Sequence, residues 1–234
     1  MSYRPFTDVW ILARPKSKYF GAYPAGFLRR ARDLIGCSQQ DRVLHVCSGD
    51  IANYKCGPGC SGNDHWHGFG PNDITVDVDI TVKADYHLDV RDVESFHVIE
   101  NDNQIQGVLA DPPYTKQFAA NYRAGPDVFP SANAIVKNAL AILPVGGRVG
   151  ILSMEWPRYP KATARQIAII GVLVGNGNVG RSFAVYERTS VCYSESLDAS
   201  NPMGRFCGER IRTAVSESPI SRKNLTVKTI QNLL

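Results

Sequence analysis

Three short apolar runs, each finishing at an acid, constrain this chain more than any other feature. Residues 42–50 read R-V-L-H-V-C-S-G-D, residues 74–79 read I-T-V-D-V-D, and residues 106–111 read Q-G-V-L-A-D. Such runs, closed by Gly, Ser or Asp, are strand patterns. Segments of helical composition alternate with them. In residues 25–35, Phe27, Leu28, Ala31, Leu34 and Ile35 form an apolar stripe that Gly36 stops, and residues 132–143 end at Pro144. D-Y-H-L-D-V at residues 85–90 suggests a further strand, and G-G-R-V-G-I-L-S at residues 146–153 another after a tight turn. Residues 163–170 are expected to be helical. Residues 182–186 and 190–193 have the spacing of a terminal antiparallel hairpin around Glu187, Arg188 and Thr189. Strands alternating with helices imply an α/β fold: an open, mostly parallel sheet with helices on both faces.

The 234 residues suffice for one substantial core, and 44% hydrophobic with 21% charged residues fits a folded domain. The expected organisation is a domain over residues 1–194, with a basic N-terminal segment and a Gly-, Cys- and His-rich insertion at 50–73, followed by a basic appendage at 195–234. No apolar run reaches membrane-spanning length and the first residues lack a signal-peptide core, so the expected location is cytoplasmic, with no membrane partner. Six cysteines are too sparse for a disulfide scaffold; Cys37, Cys47, Cys192 and Cys207 read most simply as small apolar residues. The formal charge of +4 is unevenly spread. Arg4, Arg14, Lys16, Lys18, Arg29, Arg30 and Arg32 face only Asp8 and Asp33 near the start, whereas residues 64–111 hold eleven acids against Lys83 and Arg91. Basic ends flanking an acidic middle suit a polyanion-facing rim beside a carboxylate-rich pocket, or scattered solvated charge.

In an open α/β sheet, ligands bind beyond the carboxyl ends of the strands. Asp50 follows the Ser48-Gly49 turn, Asp77 and Asp79 close the second run, Asp89 closes the next, and Asp111 ends the run from Val108. A Ser-Gly turn lets a ligand approach the backbone, and a carboxylate one strand away accepts hydrogen bonds from ribose hydroxyls. Asp111-Pro112-Pro113-Tyr114 is the sharpest signal. Two prolines donate no main-chain hydrogen bond, so they drive the chain out of the sheet and hold it extended. The loop then presents an acid, proline carbonyls and an aromatic plane. That set matches an exocyclic amine on a planar base: carboxylate and carbonyl accept from the NH2 while Tyr114 stacks on the ring.

With these residues the chain resembles the class I S-adenosylmethionine-dependent methyltransferases, and more narrowly the DNA amino-methyltransferases acting on adenine N6 or cytosine N4, whose Asp-Pro-Pro-Tyr motif corresponds to residues 111–114. The resemblance covers about residues 40–190. It implies a Rossmann-like fold and S-adenosylmethionine as cofactor. Cys47, Ser48 and Gly49 would form the cofactor loop, though without its usual second glycine. Asp77 would hold the cofactor ribose, with Asp79 the neighbouring alternative, and Asp89 would lie near its adenine. Asp111, Pro112, Pro113 and Tyr114 would be catalytic, orienting the amine of a flipped base for direct methyl transfer. The segment around Tyr19, with Phe20 and Phe27, resembles one that packs near the bound methionine. Trp156 and Arg158, after the strand at 146–153, are candidate substrate contacts. Nucleic acid, DNA foremost, is the implied partner and adenine N6 the leading acceptor; cytosine N4, RNA, a small amine or an inactive binding protein of the same fold are the alternatives.

Two features depart from that pattern. Cys56, Cys60, His65 and His67 are zinc-ligand types, but Cys-x3-Cys followed by His-x-His is not a zinc-finger spacing, so no metal is assigned and the stretch reads as a surface excursion or Gly-rich substrate loop. The chain also leaves little length for a target-recognition region, so a homodimer or a recognition partner is a further expectation.

Overall fold

The computed structural model describes residues 4–14, 22–49, 51, 67–120, 127, 129–175 and 180–190. Tyr19, Phe20, Asp50, Cys56, Cys60, His65, Cys192, Tyr193, Cys207 and the whole of 195–234 lie outside them. Seven strands, β1 (Phe6–Leu12), β2 (Val43–Val46), β3 (Ile74–Val76), β4 (Gly107–Ala110), β5 (Arg148–Ser153), β6 (Ala164–Val174) and β7 (Arg181–Arg188), form one sheet in the order β1-β6-β7-β5-β4-β2-β3. All neighbouring pairs are parallel except those of β7, which runs antiparallel to both β5 and β6.

Alternation of side chains along the strands makes two cores. Val43, Leu109, Leu152, Phe183 and Val185 point to one face, where α1 (Phe27–Leu34) packs Phe27, Leu28 and Ala31. Leu44, Val46, Val108, Ala110, Val149 and Ile151 point to the other. There, α2 (Val93–Asp102) contributes Phe96 and Ile99, and α4 (Ala132–Ile142) contributes Ile135, Val136 and Ala139. The sheet is therefore covered on both faces as the alternation implied. Ser131 caps α4 by accepting from the Ala134 amide at 3.2 Å, and Arg188 donates to the Ala141 and Leu143 carbonyls at its far end. The short α3 (Lys116–Ala119) begins at Thr115, whose hydroxyl accepts from the Phe118 amide at 3.2 Å. None of these helices is long and apolar enough to cross a membrane.

Three sequence expectations need correction. Residues 163–170 are not helical; they open β6. Its β-branched run from Ile167 to Val174 buries Ala168, Ile170, Val172 and Val174 with period two, and that packing overrides the helical composition of its Ala-Arg-Gln start. The hairpin is accordingly β6 with β7, and Ser190 lies beyond it. Glu187 is no turn residue: it stands mid-sheet, bonded to Arg148 Nε at 2.9 Å on one flank and Arg165 Nη2 at 2.6 Å on the other. Finally, residues 85–90 contribute a single parallel bridge, Val76 with Tyr86. The Asp85 carboxylate accepts from the Thr75 amide at 2.8 Å, taking a donor that a longer ladder would need. Strand β1 and helix α2 were not expected from the sequence at all.

Candidate active site

The strand order reverses at β2: the chain passes from β2 to β3 on one side and then to β4 on the other. The carboxyl ends of β2 and β4 consequently flank one crevice. Beyond Val46, Cys47 adopts φ 55° and Gly49 φ 50°, a left-handed turn that suits glycine and is strained at Cys47. The turn is clamped to β3. Ser48 donates its amide to the Val76 carbonyl at 3.2 Å, and Gly49 donates its amide to Asp77 Oδ2 at 2.9 Å. The other Asp77 oxygen accepts from the Asp79 amide at 2.9 Å. Burial raises the Asp77 carboxyl above its ordinary range, and those two amides partly offset it.

Asp79 is engaged differently: its Oδ1 accepts from the Thr81 amide at 2.8 Å and hydroxyl at 2.7 Å, closing its own turn. Asp89 is held by the Arg91 guanidinium, with contacts from 2.5 to 3.0 Å, and that pairing keeps its carboxyl below the usual range. The Cys47 thiol is pushed well above its ordinary value by burial, with Asp77, Asp111 and Asp89 adding to the effect. It stays protonated and is a poor nucleophile. Ser48 is buried, and its hydroxyl has no partner among the described residues.

Asp111 leaves β4 with its amide donating to the Val46 carbonyl at 3.4 Å. Tyr114, brought back by the two prolines, donates its hydroxyl to Asp111 Oδ1 at 2.8 Å. Asp111 Oδ2 is buried and has no partner among the described residues. Burial pushes the Asp111 carboxyl up to about 7, against the opposing pull of the Arg181 charge and the Tyr114 hydroxyl. A buried carboxylate with one oxygen occupied and one open is an acceptor awaiting a donor.

Arg181, at the start of β7, escaped the sequence reading. Its guanidinium carbon lies 4.8 Å from the centroid of the Tyr114 ring. Only the antiparallel insertion of β7 brings it there, and no local motif announces it. Trp156 and Arg158 lie on the loop after β5, at the same edge of the sheet. That loop is tied down by Tyr186, whose hydroxyl donates to the Pro157 carbonyl at 3.0 Å, and by Asn133, which accepts from the Arg158 amide at 2.7 Å. Trp156 is 59% exposed, and neither it nor Arg158 bonds to Asp111 or Tyr114. Among the described residues no cluster of three or more metal-ligating side chains occurs.

No family model matches the chain, and neither does any curated protein. Solved structures similar to it include TrmN from Thermus thermophilus, at 18% identity and a TM-score of 0.42, covering 72% of this chain and 50% of that one. An rRNA methylase from Streptococcus thermophilus is 11% identical with a TM-score of 0.40, covering 69% of this chain and 96% of that one. The chain thus spans about half the length of the first. At these scores the likenesses are distant, and the architecture rests on the sheet itself. A mostly parallel sheet completed by one antiparallel strand, with helices on both faces and a crevice at the β2–β4 reversal, is a Rossmann-like fold of the class I methyltransferase kind.

Proposed function

We propose that this protein transfers a methyl group from S-adenosylmethionine to an exocyclic amine of a nucleic-acid base. The observation that carries the reading is Asp111: buried at the reversal crevice, with Tyr114 on one oxygen and the other open. An amine N–H fits that open oxygen. The carbonyl of Pro112 is a second acceptor, and the Tyr114 ring offers a face for the base. Accepting both amine hydrogens turns the nitrogen lone pair out of conjugation and toward the electrophile.

The residues on the β2 side fit the cofactor. The unpartnered Ser48 hydroxyl and the left-handed turn through Gly49 leave room for close approach, and Asp77, desolvated and fixed by two amides, is a ribose acceptor. Asp89 and Tyr19 are the further candidates for that half of the site. When bound, S-adenosylmethionine supplies an electrophilic methyl group on sulfur. The chain's own part is to orient the amine, exclude water and receive the amine proton; Asp111, near neutrality, matches the last task.

Labelled S-adenosylmethionine offered with separate DNA, RNA and nucleotide pools tests the reading. Label should enter one pool, and nucleoside analysis identifies the base. Adenine N6 in DNA is the finer expectation; RNA is the other polymer arm. Asp111→Asn should bind the cofactor as the parent does and lose transfer by about 100-fold or more. Tight cofactor binding with no label in any pool would sink the proposal.

A further inference from the structure

Because β7 is antiparallel, its first residue lies where the parallel strands end. Arg181 is that residue, anchored by its neighbour Ser182, which pairs with Ser153 and donates its hydroxyl to the Ser153 carbonyl at 3.1 Å. The other sheet arginines are committed: Arg148 and Arg165 to Glu187, and Arg188 to the carbonyls that end α4. Arg181 differs. Among the described residues its guanidinium has no hydrogen-bond or ion-pair partner: it lies against the ring of Tyr114, and its charge acts on Asp111 without a direct bond. A guanidinium whose N–H groups bond to no described residue has its fork of donors open, and that fork matches phosphate geometry.

The strand order says which ligand this fork faces. Counting across the sheet, the cofactor turn ends β2, the acceptor acid ends β4, and Arg181 stands beyond β5 at β7. Arg181 is therefore on the far side of Asp111 from the cofactor turn. We propose that Arg181 binds a backbone phosphate of the acceptor strand, next to the nucleotide whose base stacks on Tyr114; this rests on the acceptor site proposed above. The guanidinium holds the ring until a base replaces it, and then pairs with the phosphate that the base brings in. Arg181 so couples strand binding to opening of the stacking face, and its role is positioning and affinity.

The test measures binding of short single-stranded DNA and RNA by fluorescence anisotropy across a salt series, with methyl transfer followed in parallel. Arg181→Gln and Arg181→Met should each lower the slope of log affinity against log salt by about 0.7, the loss of one phosphate contact on a single strand. Arg181→Lys should keep the slope, and cofactor affinity should not change in any of them. An unchanged slope in whichever neutral variant folds, a loss that falls on the cofactor instead, or a parent protein that binds neither strand overturns the inference. Methyl transfer by the parent with a slope indifferent to Arg181 would sink this inference alone. An Arg181-dependent slope with no transfer to any pool would sink the proposed reaction alone.

Discussion

Asp111 is an acid whose neighbours each push it in an identifiable direction. Burial raises it to about 7, while the Arg181 charge and the Tyr114 hydroxyl pull it down. Since the proposed reaction needs the ionised form, kcat/KM should climb with pH and level off above about 7. Arg181→Met and Tyr114→Phe each remove a lowering influence, so both should move that midpoint upward. A profile flat from acid to mildly alkaline pH would exclude Asp111 as the group that receives the amine. Asp111 and Tyr114 were legible in the sequence because the two prolines make their meeting a local matter. Arg181 was not legible, because its place against Tyr114 depends on where a distant strand inserts. The same holds for Asp77: its acid was visible, but its clamp on the Gly49 amide is a product of β2 pairing with β3.

Elements were legible where one pattern spoke alone. β2, β4, β5, α1 and α4 have clean apolar runs or stripes with stops, and the sequence placed each within a few residues. β6 was misread because its polar start favours helix while its apolar remainder favours strand, and pairing with β7 decided between them. Two glycines show where that sheet packs tightly and where it does not. An added Cβ at Gly150 would lie 2.5 Å from Phe183 Cζ, whereas one at Gly171 meets nothing nearer than Val9 Cγ2 at 3.5 Å. Gly150→Ala should cost about 1–3 kcal/mol in a denaturant melt and Gly171→Ala much less; equal costs would show that Phe183 yields. On α1, Arg32 occupies a helical position that reads as polar surface yet is fully buried. It is paired to Asp73 at 2.6 Å, with His45 on the same carboxylate at 3.0 Å. Asp73→Ala strips a buried charge of its partner and should lower stability by about 3–5 kcal/mol, read as a shifted urea midpoint at an unchanged slope.

Over the whole molecule, function and stability make opposite demands on the same crevice. The sequence showed acids at strand ends, but not that the reversal at β2 gathers Asp77 and Asp111 against one crevice while Asp73 is enclosed on α1's side of the sheet. Their ionisation then shapes stability against pH. Asp111 titrates near 7 when folded and near 3.9 when unfolded, so between those values the native state holds the extra proton. Its contribution is therefore greatest at low pH and is lost as pH rises toward about 7; the raised Asp77 acts in the same sense. Asp73, Asp41, Asp89 and Glu187, all lowered, act oppositely: what they contribute is present above about 4 and lost as the solution is acidified further. The cofactor-free protein should accordingly melt highest in mildly acidic solution and decline toward pH 8. Asp111→Asn removes an ionisation that burial opposes, so its gain in stability should be small near pH 4.5 and should grow to a few kcal/mol, about 4 at most, by pH 8. Scanning calorimetry of both proteins across that range reads the difference directly. Parallel curves would mean that Asp111 ionises as easily in the crevice as in the unfolded chain, and the acid would then lack the tuning that the proposed chemistry assigns to it.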